Sequence, residues 1–333
     1  MTRASNILTV MMGGIGNLIL FVPALRSLRQ GYPEARLTLM TAQPGVEEIL
    51  SGEGLVDDVL CLEAGPWSFG PSLWRWIRSA RRRRFQLSLT AGTTNAFKAS
   101  LMTWLMGARE RVGEDIQGKG LFYTRKVAFK PGTHETVGAL RCVEALGLPV
   151  VERQASLRCS SGEQAFARGM LRDLGAEGRI VVGMHVGSGE RQAFKRWPLD
   201  RFVRVGRRLM REYGVVVVLT GSSKEQTLVR EAAGAMGKGA IPIAGRCSLR
   251  QTAAVIQQCD LFVSNDSGPA HIAAAVGTPL IVLFGPTPRQ RVEPLGDHVR
   301  VIDKGTKMTD ISLDDVWRVA LDHARAAGWT RKP

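Results

Sequence analysis

The chain has 333 residues, 44% of them hydrophobic, and its 45 Lys+Arg against 30 Asp+Glu give a formal net charge of +15 at pH 7. That much apolar material excludes a disordered polyelectrolyte, and no stretch approaches the roughly 20 apolar residues of a helical membrane span. Cys61, Cys142, Cys159, Cys247 and Cys259 lack C-x-x-C spacing, which argues against a zinc site and a disulfide framework and leads us to expect reduced thiols in a cytoplasmic protein. The positive charge favours a polyanionic partner: nucleic acid, an anionic membrane surface or a phosphorylated substrate. Aromatic-interleaved basic stripes are absent, so nucleic acid is not expected.

In chain order, residues 6–12 (NILTVMM) read as a buried strand and not as a signal peptide. A glycine corner and a helix over 17–30 follow, then strands over 35–42, 57–62 and 85–91 with helical segments between. The connection 146–164 is polar and irregular in its middle. Beyond it come a strand over 179–186, a helix over 200–213, strands over 214–221, 240–244, 260–265 and 279–285, and a last helix at about 312–327. Continuous apolar strands separated by amphipathic helices imply parallel sheets covered on both faces. The expected class is α/β, with two Rossmann-like domains, 1–155 and 156–333, whose sheets face one another across a cleft. The last helix is the one element that could pack back on the N-terminal domain.

Five corners carry side chains that can do chemistry. In GGIGN, Gly13, Gly14 and Gly16 precede Asn17 as a polar tip. Ile19 stands where a G-x-G-x-x-G fingerprint needs its third glycine, so a nicotinamide site is not expected. The corner is either a turn for close packing or a loop facing a ligand. In PWSFGPSLWRWIRSARRRRF (66–85), a helix from about 72 puts Leu73, Trp76, Ile77 and Ala80 on one face and Arg75, Arg78 and Arg82 on another. Trp74, Trp76, Arg81, Arg82, Arg83 and Arg84 suit an anionic membrane surface, and equally a core-packed helix with a solvated basic face.

In HVGSGERQAFKRWPLDRF (185–202), a strand runs into a loop bearing Lys195 and Arg196, and a helix starts at Pro198. Two cations there suit a leaving diphosphate; a solvated loop is the plain alternative. LTGSSKEQ (219–226) places Glu225 in a first helical turn, as a ribose or base contact or an ordinary loop acid. In SNDSGPAHIAAAVGTP (264–279), a strand ends at Asn265, Asp266-Ser267-Gly268 make the corner, Pro269 opens a helix with His271 in its first turn, and Gly277 closes it. A helix start offers free N–H groups and partial positive charge, a natural seat for phosphate or diphosphate. Asp266 can bind sugar hydroxyls, or simply cap the helix with His271 as packing. No Asp-x-Asp, nucleophile elbow or P-loop lysine occurs, so no metal-held diphosphate is expected.

Together these corners resemble glycosyltransferase family 9, the lipopolysaccharide heptosyltransferases, over nearly the whole chain. GGIGNLILFVPALRSLRQGYPEARLTLMT is similar to that family's glycine loop, P-x-L-R-x-L helix and second strand. FKRWP resembles its lysine loop, GTHETVGALRCVEALGLP its helix before the linker, and NDSGPAHIAAAVGTPLIVLFGPT its most recognisable segment. The resemblance implies a GT-B fold, with the acceptor on the N-terminal domain and the nucleotide-sugar on the C-terminal one. It implies inverting transfer of heptose from an ADP-heptose-type donor to a lipopolysaccharide-core or related acceptor, with no cofactor and no metal, at the inner face of the inner membrane.

Carried over by residue, Lys195 contacts the donor diphosphate or sugar, Asp266 the sugar hydroxyls, and Ser267, Gly268 and His271 the diphosphate. Glu225 corresponds to a ribose-binding acid, with Ser188 and Ser222 on the same donor side. Gly14, Gly16, Asn17, Glu114 and Asp115 fall on the acceptor side. The family usually shows Asp at the position of Asn17, and that aspartate is its favoured general base. An amide cannot accept a proton at neutral pH. Either another group takes the proton, with Glu114 and Asp115 the first candidates and Asp57 a further one, or the acceptor differs, or the chain is a weakly catalytic or non-catalytic homologue that binds a nucleotide-sugar.

Overall fold

The protein was analysed as a computed structural model, which describes residues 4–62, 71–90 and 95–332, without the side chains of residues 71–73, 75, 76, 190 and 191. The chain forms two compact units, Met1–Ala155 with Gln290–Val292, and Ser156–Arg289 with Glu293–Pro333.

The first unit contains β1 (Asn6–Val10), α1 (Ile15–Gly31), β2 (Arg36–Thr41), β3 (Asp58–Cys61), α2 (Pro71–Arg82), β4 (Leu87–Thr90), α3 (Ala96–Leu105), β5 (Glu110–Asp115), β6 (Arg125–Ala128) and α4 (Glu135–Ala145). Its sheet is parallel, in the order β3-β2-β1-β4-β5-β6. That is the Rossmann walk, outward on one side of β1 and then on the other. The central strands are apolar because helices cover both faces: Ile7, Leu8, Val10, Leu37, Leu39 and Leu89 are buried. β5 and β6 escaped the sequence reading. Their sequences, ERVGED and RKVA, lack a continuous apolar run, since β6 is an edge strand and β5 its neighbour. α4 packs on α1, where the Thr136 hydroxyl donates to the Leu20 carbonyl at 2.9 Å.

Within α2, Ile77 and Ala80 are buried while Trp74 is 64% exposed and Arg78, Arg81 and Arg82 face solvent. Part of the arginine run serves the fold: Arg81 Nε donates to Leu105 O at 2.7 Å and Arg83 pairs with Asp58 at 2.9 Å. Trp67 and the side chains of Leu73, Arg75 and Trp76 lie outside the described residues.

The second unit contains α5 (Ser161–Asp173), β7 (Val181–His185), α6 (Leu199–Tyr213), β8 (Val216–Leu219), α7 (Gln226–Met236), β9 (Ala240–Pro242), α8 (Leu249–Gln257), β10 (Leu261–Asn265), α9 (Gly268–Ala275), β11 (Leu280–Phe284), β12 (Val299–Asp303) and α11 (Leu313–Ala326). A short helix, α10 (Arg289–Val292), falls across the division between the units. The parallel order β12-β11-β10-β7-β8-β9 repeats the first unit's walk. β12 (VRVID) is again an edge strand that alternates, so its sequence carried no strong signal. The last helix belongs to the second unit. Val316, Trp317, Ala320 and Ala324 sit in the second unit's own core, because α11 supplies apolar cover for that sheet, with the Arg208 guanidinium 3.9 Å above the Trp317 ring. Pro198 is the cap preceding α6 and not its first residue. All five cysteines are free thiols.

Candidate functional site

Open α/β sheets take ligands beyond their carboxyl ends, where the strand order reverses. In the second unit that point lies between β7 and β10, paired Ser264 to His185. Just past β10, the Asp266 carboxylate meets Lys195 Nζ at 2.7 Å, with the two side chains 6% and 15% exposed. Asn265 sets this meeting. Its Oδ1 accepts from Trp197 N at 2.9 Å, and its Nδ2 donates to Val186 O at 3.1 Å and Gly187 O at 3.0 Å. One buried amide thus staples the loop after β7 to the end of β10, two residues from Lys195. From sequence Asn265 is only a strand end; its signal is a buried amide closing a mostly apolar strand.

Ser267 is the N-cap of α9 but makes no capping bond. Its hydroxyl donates instead to Asn265 O at 3.1 Å, beside Ser264 Oγ at 3.2 Å. With Asp266 turned to Lys195, the simple capped-helix alternative does not describe this corner. Gly268 is the first residue of α9, and His271 is buried in its first turn.

Glu225 lies beneath the same loop. Its Oε2 accepts from Ser222 N at 2.9 Å and Ser222 Oγ at 2.8 Å, and its Oε1 accepts from Gly189 N at 3.3 Å, 3.8 Å from His185 Nε2. Burial pushes this carboxyl up, but His185 and the bonds from Ser222 and Gly189 outweigh burial and hold it below the ordinary range. Burial drives His185 the other way, downward. A Cβ on Gly187 would lie 1.9 Å from Glu225 Oε1, so only glycine admits the acid here. Ser188 donates to Gln192 O at 2.7 Å and accepts from Arg196 Nε at 3.3 Å. Ser188, Lys195, Ser222, Glu225, Asp266, Ser267, Gly268 and His271 therefore gather at the carboxyl ends of three neighbouring strands, β10, β7 and β8.

In the first unit the reversal lies between β1 and β4. Gly14 is the N-cap of α1, with Gly16 and Asn17 in its first turn. Asn17 Nδ2 donates to Glu135 Oε2 at 2.8 Å, and Arg291 Nη2 lies 3.4 Å from Glu135 Oε1. Burial raises the Glu135 carboxyl above the ordinary range, against the Asn17 bond and Arg291. Glu114, on β5, is also raised, chiefly by burial and further by Glu135, while Arg141 and Arg291 pull it down.

The other acids named from sequence are occupied. Asp115 accepts from Gly120 N at 2.7 Å and holds the turn after β5. Asp57 accepts from Leu37 N at 2.7 Å and pairs with Arg29 at 2.7 Å, at the amino ends of β2 and β3, the wrong end of the sheet for a ligand. Glu135 was missed because an acid in a first helical turn reads as ordinary dipole complementation. Among the described residues, no group of three or more His, Cys, Asp or Glu is placed to hold a metal, and no helix is long and apolar enough to cross a membrane.

The model of glycosyltransferase family 9 (heptosyltransferase) matches residues 73–314. Lipopolysaccharide heptosyltransferase 3 of Escherichia coli K12 is 27% identical over 281 residues, covering 82% of this chain and 80% of its own. The glycosyl transferase family 9 structure from Veillonella parvula superposes with a TM-score of 0.80 at 20% identity, covering 97% of both chains. The structure of E. coli ADP-heptose lps heptosyltransferase II gives 0.77 at 23% identity, over 97% of this chain and 99% of that one. The two parallel six-stranded sheets are those of the GT-B fold.

Proposed function

The chain belongs to glycosyltransferase family 9, and from that premise we propose that it transfers heptose from an ADP-heptose-type donor to a lipopolysaccharide-core or related glycan acceptor, with inversion and without a metal. The observation that carries the reading is the Lys195–Asp266 pair, 2.7 Å apart beside the start of α9. Residues 156–333 hold the donor and residues 1–155 the acceptor. An acceptor hydroxyl attacks the anomeric carbon as the bond to the diphosphate breaks, and the electron pair leaves with the diphosphate. Lys195, the first N–H groups of α9 at Ser267 and Gly268, and His271 receive that growing charge. The helix start and His271 are fixed in advance and favour the transition state without reorganising, while Lys195 turns from Asp266 to the diphosphate. Asp266 accepts hydrogen bonds from the sugar hydroxyls once the diphosphate draws Lys195 away. Glu225 and Ser222 hold the lysine-bearing loop and face the ribose.

Exposed Trp74, Arg78, Arg81 and Arg82 support contact of the first unit with an anionic membrane surface, in keeping with a lipid-linked acceptor at the inner face of the inner membrane.

A thermal-shift screen of nucleotide-sugars tests the donor, since binding to the native state alone raises the unfolding temperature. ADP-heptose should give the largest rise, and EDTA should leave transfer unchanged. Lys195→Ala and Asp266→Ala should each lose most transfer while folding normally; full activity in either sinks the site assignment. A second reading rests on Asn17: a weakly catalytic homologue that binds the nucleotide-sugar. Robust acceptor-dependent release of ADP by the native chain disposes of it.

A further inference from the structure

Asn17, in the first turn of α1, has an amide that donates to a carboxylate, Glu135 Oε2, at 2.8 Å. We propose that Glu135 is the general base of this enzyme and that Asn17 is the residue that aims it. The inference rests on the glycosyltransferase reading above. In the step, the acceptor oxygen bonds to the anomeric carbon, its proton passes to the Glu135 carboxylate, and the bond to the diphosphate breaks with both electrons going to the diphosphate. The glutamic acid then returns the proton to water.

Three observations support it. Glu135 is held rigidly. It is the first residue of α4, whose His134 cap accepts from Thr136 N at 3.3 Å and whose Thr136 hydroxyl is tied to α1 at Leu20. Asn17 lies on α1 itself, so the amide and the carboxylate are set by two helices packed on each other.

Its surroundings suit a base. The Glu135 side chain is 10% exposed. The charged and polar groups around it are Asn17 from α1, Arg291 from α10, and Glu114 from β5 with Arg141 beside it. Burial strengthens the carboxylate as a proton acceptor, while the Asn17 amide and Arg291 partly offset that rise.

The cluster is also incompletely satisfied. Glu114 Oε1, Arg141 Nη1 and Arg291 Nε are buried and find no hydrogen-bond partner among the described residues. Buried polar atoms are rarely left so without reason, and a hydroxyl-rich ligand can supply what they lack. Glu114 itself is a poorer base. It is pressed against α4 where a Cβ on Gly138 would lie 2.4 Å from its Oε2, and Arg141 stands 3.9 Å from its Oε1.

The test uses the full chain with ADP-heptose and a heptose-deficient core oligosaccharide, measuring kcat against pH. The native profile should show an acid limb above the ordinary glutamate value of about 4.3. Glu135→Gln should lower kcat by about 10²–10⁴-fold and abolish that limb, leaving the donor KM and the unfolding temperature near native. Glu135→Asp should keep the limb with partial activity. Asn17→Asp sets two carboxylates against each other, so the pair shares a proton, the limb moves to higher pH and kcat does not rise. If Glu135→Gln does not fold, the Glu135→Asp and Asn17→Asp profiles decide. Native kcat or a surviving limb in Glu135→Gln overturns the base while leaving the glycosyltransferase reading intact, and so does a tenfold gain in Asn17→Asp at neutral pH. No transfer by the native chain overturns the reading and this inference together.

Discussion

The corner after β1 and the corner after β7 hold the same place in two copies of one topology, yet they handle charge in opposite ways. After β7, opposite charges meet directly: Lys195 lies on Asp266, and Glu225 accepts three hydrogen bonds from Ser222 and Gly189. After β1, an amide at 2.8 Å and a more distant arginine at 3.4 Å face the buried acid, and burial still raises both Glu135 and Glu114 above the ordinary carboxylate value. A site that must hold a fixed anion gains from groups already in place. A site that must accept a proton gains from a carboxylate whose burial is only partly offset by its partners.

The sharpest way to break the closed corner is Asn265→Asp. It puts a carboxylate where a buried amide donated to two carbonyls, and should cost about 3 kcal/mol or more, read as a lower urea midpoint; an unchanged midpoint refutes the staple. Gly187→Ala is expected to come next, at about 1–3 kcal/mol, because its Cβ would meet Glu225 Oε1. Nucleotide-sugar affinity should fall with it, as the loop that carries Lys195 shifts.

The pH dependence of stability should have opposite signs at the two corners. Glu225 titrates low when folded, so its stabilisation is present above the unfolded value of about 4.3 and is lost as pH falls through the lowered one. Glu114 titrates high, so the folded state gains stability as pH falls from neutral through the raised value toward about 4.3. Glu114→Gln should therefore raise the unfolding temperature at pH 7 and lose that gain near pH 4, whereas Glu225→Gln should lower it at pH 7. Equal signs would remove the contrast. The smallest effect is at the surface of the first unit: Arg78→Glu and Arg82→Glu should each weaken binding to phosphatidylglycerol vesicles by roughly fivefold, a loss that high salt erases.

The strands enclosed on both faces, β1, β2, β4, β7, β8, β10 and β11, were legible as apolar runs, and the two βα series and most donor-side residues followed from them. β5, β6 and β12 were not, because charged residues interrupt their apolar runs. Of the corner after β7, the residue types were readable but not the pairing, since Lys195 and Asp266 lie 71 positions apart. Asn265 looked like a strand end, though it organises the loop.

The sequence by itself determined the alternating α/β plan and the glycine and Asp-Ser-Gly corners. Local periodicity and turn chemistry depend on near neighbours, so one chain suffices to read them. Only the tertiary structure decided which acid stands beside Asn17, because Glu135 is 118 positions away and arrives there through the packing of α4 on α1. It also decided the basicity of that acid, since burial and the facing amide and arginine exist only once distant segments have come together.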